Sequence, residues 1–255
     1  FVSGVLLLFV KEPPRGSAEP ELEDVVSAET AARFEFRLLP RLLRVASWRL
    51  LLVNETLDWM GFSTLYTWAF TWLESLKLGM MGTAVIGIQF VGVLVGHVAF
   101  GWVGDALDAR SPGRGRVTLG TIGLIVNVLA CVGFLLTSPY GLLPLLVFGM
   151  LTGLTESLKM SGARAPLAQN VMLPELRATG RGTIAMVSGL ASALIALLAG
   201  WMVTQFNDNV VAMMLILVPI PKALSIVAWL PLYRTYPRDM EALHATLCQQ
   251  RAEIV

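Results

Sequence analysis

The stretch MMGTAVIGIQFVGVLVGHVAFGWV, from Met80 to Val103, holds no Asp, Glu, Lys or Arg. A helix rises about 1.5 Å per residue, so this segment is long enough to cross a hydrocarbon layer roughly 30 Å thick. Lipid offers the backbone no hydrogen bonds, so a spanning segment of this kind must be helical. Working outward, five further apolar segments have near-spanning length: Trp48–Trp72, Val117–Thr137, Leu142–Ser161, Thr183–Val203 and Val210–Tyr233. The short alternating stretches that a β-barrel needs are not found. The expected fold class is an all-α polytopic transmembrane helical bundle of six complete helices over residues 48–233.

Composition agrees. Of the 255 residues, 55% are hydrophobic and only 15% charged, with a mean hydropathy of +0.68. A soluble domain usually carries about a quarter charged residues. The formal net charge of +1 gives no reason to expect a nucleic-acid partner. Cys131 and Cys248 are too far apart to read as a disulfide framework or a metal-ligand pair. His97 and His244 have no ligand-spaced companions, so neither a metal nor a cofactor is expected, nor any covalent chemistry.

Residues 1–10, FVSGVLLLFV, form an apolar run too short to span and unlike a signal peptide. The simplest reading is the end of a helix that begins outside the chain. Residues 11–47 then read as a central loop. Its first part, KEPPRGSAEPELEDVVSAET, is too rich in proline and acid to build a packed core. Its second part, FRLLPRLLRVASW, spaces Arg37, Arg41 and Arg44 so that a helix would carry arginines on one side and leucines on the other. Two readings stand: an amphipathic helix on the membrane surface, or the first turns of the next span. Residues 234–255 form a polar tail.

The 19 Lys and Arg residues are distributed in alternation. Lys11, Arg15, Arg33, Arg37, Arg41, Arg44 and Arg49 precede or open the first complete span. Arg110, Arg114 and Arg116 follow the second. Arg164, Arg177 and Arg181 flank the connection after the fourth, and Arg234, Arg238 and Arg251 follow the sixth. The other loops carry only Lys77, while Lys159 and Lys222 lie inside spans. By the positive-inside rule, the linker, the two basic loops and the tail are cytoplasmic.

The basic loop after the second span reads GWVGDALDARSPGRGR, residues 101–116. Gly101, Asp105, Gly113, Arg114 and Arg116 resemble the major facilitator motif, in which Gly, three residues and Asp are followed by Gly and basic residues. The departures are a longer loop and no basic residue directly after Asp105. The resemblance implies a cytoplasmic latch in which Asp105 faces a helix N-terminus and pairs with Arg114 or Arg116. Glu156 would complete that charge cluster. Ordinary loop charges are the bland alternative. An intramembrane aspartyl protease would need Gly where Trp102 stands, so proteolysis is not expected.

Two further elements resemble the spinster-like lipid transporters: FVKEPPRGSAE leaving the first apolar run, and LPELRATGRG around Arg177. Together they imply a chain running from the end of the sixth helix to the end of a twelve-helix transporter. Its partners would then be the bilayer, a missing N-terminal half and a small-molecule or lipid substrate. That family's substrates are amphiphiles such as sphingosine phosphate or lysophospholipids, and it implies proton coupling. The membrane is the endolysosomal or the plasma membrane. Two other functions stay open: a transporter of small carboxylates or sugars, and a scaffold or half-transporter that moves nothing.

Ionisable residues inside spans cost about 2.5–3.5 kcal/mol each on insertion scales, so they are the default functional candidates. Glu55 and Asp58 sit three apart and share a helix face. They suit proton binding, or else ordinary pairing with Arg49 or Lys159. Glu156 and Lys159 are spaced to neutralise each other. His97 is placed about one turn from a cytoplasmic helix end, as proton carrier or as hydrogen-bonded structural residue. Lys222 falls near mid-membrane, where it would hold an anionic headgroup, pair with a carboxylate or snorkel. Gly92–Gly96 and Gly149–Gly153 match the small-xxx-small pattern of closely approaching helices.

Overall fold

The structure, a computed structural model, describes residue 37 and residues 39–254, with side chains described as far as residue 249. Every regular element among them is helical. A single turn, α1 (Leu39–Leu42), precedes the long helices α2 (Ala46–Ser75), α3 (Met80–Arg110) and α4 (Gly115–Leu136). Next come α5 (Leu142–Lys159), a π-helical turn (Met160–Arg164) and α6 (Ala165–Gln169), which together form one continuous rod. The chain ends with α7 (Arg177–Gln205), α8 (Val210–Leu217), α9 (Pro219–Trp229) and α10 (Leu232–Ile254).

Five helical stretches are long and apolar enough to cross a membrane: Met80–Arg110, Gly115–Leu136, Leu142–Gln169, Pro174–Gln205 and Val210–Trp229. The protein is therefore a polytopic helical bundle. The expected first span is present as α2, whose 30 residues suffice in length. Its apolarity is lower because Asn54, Glu55, Asp58 and several Ser and Thr residues interrupt the run. The expected boundaries are too short. α3 continues through Asp105 and Asp108 to Arg110, so the long basic loop contracts to the turn Ser111–Arg114, closed by Gly113 at φ +74°. Only glycine adopts that backbone without strain. The described part of the basic stretch is a short helix set off from α2 by residues 43–45. One turn survives around Arg41, Arg37 is exposed beside it, and residues 1–36 and 38 lie outside the described residues, as does the expected helix end at 1–10. The tail is helical as α10. Pro219 cannot donate to the preceding turn, and the last span breaks there into α8 and α9.

Packing follows sequence position. α5 lies along α3 and α4, whereas α2 is held between α7 and α9. Along α2, Trp48 and Leu51 belong to one apolar core and Leu65, Ala69 and Trp72 to another. Val117 and Leu124 are separated from Phe134 in the same way on α4, and Trp229, at the end of α9, from Leu217 and Val218 just before its start. Between the two cores runs a layer of buried polar side chains: Asn54 and Asp58, Asn127, Thr155 and Lys159, Lys222 and Ser225. Outward, α3 presents Phe90, Leu94, Val98 and Trp102, and α7 presents Leu190, Leu194, Leu197 and Trp201. Apolar outer faces are what helices show to lipid or to other membrane helices, not to water.

Candidate functional site

Asp58 is the centre of the polar layer. Lys159 Nζ donates to both of its carboxylate oxygens at 2.5 Å. Arg164 Nη2 reaches Oδ2 at 3.0 Å, and Lys222 Nζ reaches Oδ1 at 3.1 Å. All four side chains are at most 2% exposed. Charges buried this deeply are tolerated only when paired and fully hydrogen-bonded, and the neighbours complete the set. Asn127 Oδ1 accepts from Lys159 at 3.1 Å and from Lys222 at 2.9 Å. Asn54 Oδ1 accepts from Arg164 Nε at 3.0 Å, while its amide donates to the Ser225 carbonyl at 2.8 Å. Glu156 lies 2.9 Å from Lys159 and 3.5 Å from Lys222. Three cations, two carboxylates and the Asn127 amide thus tie α2, α4, the α5 rod and α9 together.

Local geometry explains the convergence. The π turn inserts one residue into the helical repeat, and Arg164, its last residue, reaches across to α2. Gly61 leaves the space through which the Lys222 stem passes. A Cβ at Gly61 would lie 2.8 Å from Lys222 Cγ and 2.7 Å from the Val218 carbonyl.

Glu55 shares a helix face with Asp58 yet looks elsewhere. It borders a cleft of about 540 Å³ between α2, the α5 rod and α7, lined also by Trp59, Met160, Arg181, Ile184 and Ser188. Glu55 is 8% exposed and its Oε2 has no partner among the described residues; the same holds for Ser188 Oγ at 5%. Arg181 is exposed at the cleft. From Trp59 an aromatic file runs up α2, with ring centroids 4.8 Å apart to Phe62, 4.3 Å on to Tyr66, and 5.8 Å across to Phe90.

At the basic end of the bundle, Arg116 pairs with Asp105 and, at 3.1 Å, with Asp108, and donates to the Gly162 carbonyl at 3.3 Å. Three elements, α3, α4 and the π turn, meet there because Gly104 has no side chain. A Cβ at Gly104 would fall 2.4 Å from the Gly162 oxygen. Of the expected latch, Asp105 and Arg116 are brought together. Arg114 is exposed to one side. Glu156 is not part of it, because its helix places it in the Asp58 layer. Gly101 faces open space, and Gly113 packs near Pro237 and Met240 of α10. Arg177 donates to the Gln169 carbonyl at 3.3 Å, within its own connection.

His97 does not lie one turn from a helix end. It sits in the middle portion of the extended α3, where Nδ1 is 2.6 Å from Ser157 Oγ and 2.8 Å from the Val93 carbonyl. Arg49, offered as a partner for Glu55 and Asp58, is exposed. Asn127, Asp108 and Gly104 were not singled out from the sequence, and Arg164 counted only as a loop charge. A lone Asn inside TIGLIVNVLACVGF is the one signal that could have marked Asn127 beforehand.

Compared with known proteins, residues 1–194 match the family model described as Major Facilitator Superfamily. Neither curated proteins nor solved structures give a match.

Proposed function

Because the chain belongs to the major facilitator superfamily, we propose that it is half of an alternating-access transporter for an amphiphilic, lipid-like organic molecule, driven by protons. The observation that carries this reading is the cleft at Glu55. A partnerless carboxylate oxygen opens there beside an aromatic file, next to an ion layer that holds the surrounding helices. A scaffold has no use for a buried carboxylate oxygen left without a hydrogen bond, since each such atom costs stability.

The division of labour follows from the contacts. Asp58 is fully engaged by Lys159, Arg164 and Lys222, so it serves as the structural anchor of the bundle. Glu55 has an oxygen to offer, so it takes the proton or the substrate. His97 and Glu156 are positioning residues. The Arg116 brace with Asp105 and Asp108 is the gate at the cytoplasmic end, in the orientation that the basic loops favour. A preceding six-helix half would cover the outward faces of α3 and α7. The exposed apolar side chains along both helices support this, among them Leu94 and Trp102 on α3 and Leu194 and Trp201 on α7. The Pro-Pro-Arg-Gly element at residues 13–16 and the LPELRATGRG segment favour the spinster-like branch and a lysophospholipid or sphingosine-phosphate type of substrate.

The test is uptake of a labelled lysophospholipid into proteoliposomes holding the full-length protein, scored as lipid protected from albumin extraction. An inward proton gradient should raise uptake several-fold, and Glu55→Gln should remove the response to the gradient. Equal stimulation in Glu55→Gln would take the proton away from Glu55. Uptake of a sugar or a small carboxylate instead would replace the lipid reading.

A further inference from the structure

Among the described residues, the buried charged group lining the cleft with an atom that lacks a hydrogen-bond partner is Glu55, at Oε2. Arg164, whose field reaches Glu55, already spends Nε on Asn54 and Nη2 on Asp58. Arg181 is exposed and can be satisfied by water, so it asks for nothing from a ligand. A ligand group that completes Glu55 must therefore be a donor and is best a cation. Ser188 Oγ, also buried and partnerless, can accept a second N–H. Trp59 lines the same cleft, and an indole ring is a favourable neighbour for a cation. Met160 and Ile184 offer apolar surface to whatever carries it.

We infer that the cleft between α2, the α5 rod and α7 is a binding site for an organic amine, its ammonium held between Glu55 and Ser188 and its apolar body lying along Trp59, Met160 and Ile184. This deepens the transport reading and rests on it, by assigning the end of the amphiphile that is recognised. A cavity of about 540 Å³ is within the usual range for such ligands.

A series of isosteres differing only in charge tests it: 4-phenylbutylamine, 4-phenylbutanol and 4-phenylbutyrate, titrated calorimetrically into the purified full-length protein in detergent at pH 7. The amine should bind at least tenfold more tightly than the alcohol, and the acid more weakly still. Glu55→Gln should reduce the amine to the level of the alcohol, in protein whose elution volume and helix content are unchanged. Ala185→Trp, at an exposed position on the cleft wall, should block all three ligands without removing a charge. It keeps the test decisive should Glu55→Gln fail to fold. Amine and alcohol binding alike in the unmodified protein would overturn the inference. So would a preference for the acid, or an amine preference that survives either substitution in folded protein. Amine preference without any uptake into proteoliposomes would uphold this site and remove the transport reading. Lysolipid uptake with no amine preference would do the reverse.

Discussion

Asp58→Asn is expected to destabilise the protein by about 3–5 kcal/mol, the cost of stranding buried cations that have lost their shared anion. Lys159, Arg164 and Lys222 all direct hydrogen bonds at Asp58, and each is 1% exposed, so none can turn to water without opening the bundle. Glu156 is the other carboxylate within reach of the two lysines. A single neutral amide at position 58 therefore leaves an excess of positive charge across four helical segments. The expected readout is a thermal midpoint in detergent far below that of the unmodified protein, together with poor membrane yield. Removing a cation as well should recover part of the loss, since residues in one network do not add independently. Asp58→Asn combined with Lys159→Met is accordingly predicted to be more stable than Asp58→Asn alone. A midpoint within about 2 °C of the unmodified protein for Asp58→Asn would show that the layer is not held by this ion cluster.

The second large effect is steric. A Cβ on Gly153 would lie 2.0 Å from the Gln89 carbonyl oxygen, and one on Gly92 would lie 2.6 Å from the Met150 carbonyl. Backbone cannot swing aside as a flexible side chain can, so α3 and α5 would have to separate. Gly153→Ala should cost at least the ~1–3 kcal/mol typical of overpacking. Gly200→Ala, by contrast, enters open space on α7 and should stabilise by roughly 0.5–1 kcal/mol through helix propensity alone. Comparing the two thermal midpoints checks the packing directly: opposite signs are expected, and equal shifts would mean that α3 and α5 do not approach as described.

Much of this was legible in the sequence. Apolar runs fix spanning helices because the bilayer leaves the backbone one way to satisfy itself, and Gly92, Gly96 and Gly153 of the small-xxx-small pairs lie where α3 and α5 approach closely. What failed was local. Hydropathy ends a helix where charges begin, yet α3 carries Asp105, Asp108 and Arg110 past that limit, which shortens the loop and leaves His97 well inside the helix. The charged positions of the spans could be picked out one by one, but their partners could not. Asp58 and Lys222 are 164 positions apart, and no local pattern links them. Glu156 shows the limit clearly. A motif assigned it to the gate, whereas its spacing from Lys159 was the better guide. Arg164 looked like a loop charge because nothing in MSGAR announces a π turn that carries it inward.

The central claim is that the cleft bearing Glu55 opens to each side of the membrane in turn. Ser188→Cys, in a full-length background without other reactive cysteines, tests this with a membrane-impermeant maleimide applied from one face or the other. Alternating access predicts labelling from both faces, with the ratio shifted when lysolipid is present on one side. Labelling from a single face, unchanged by lysolipid or by a proton gradient, would contradict it.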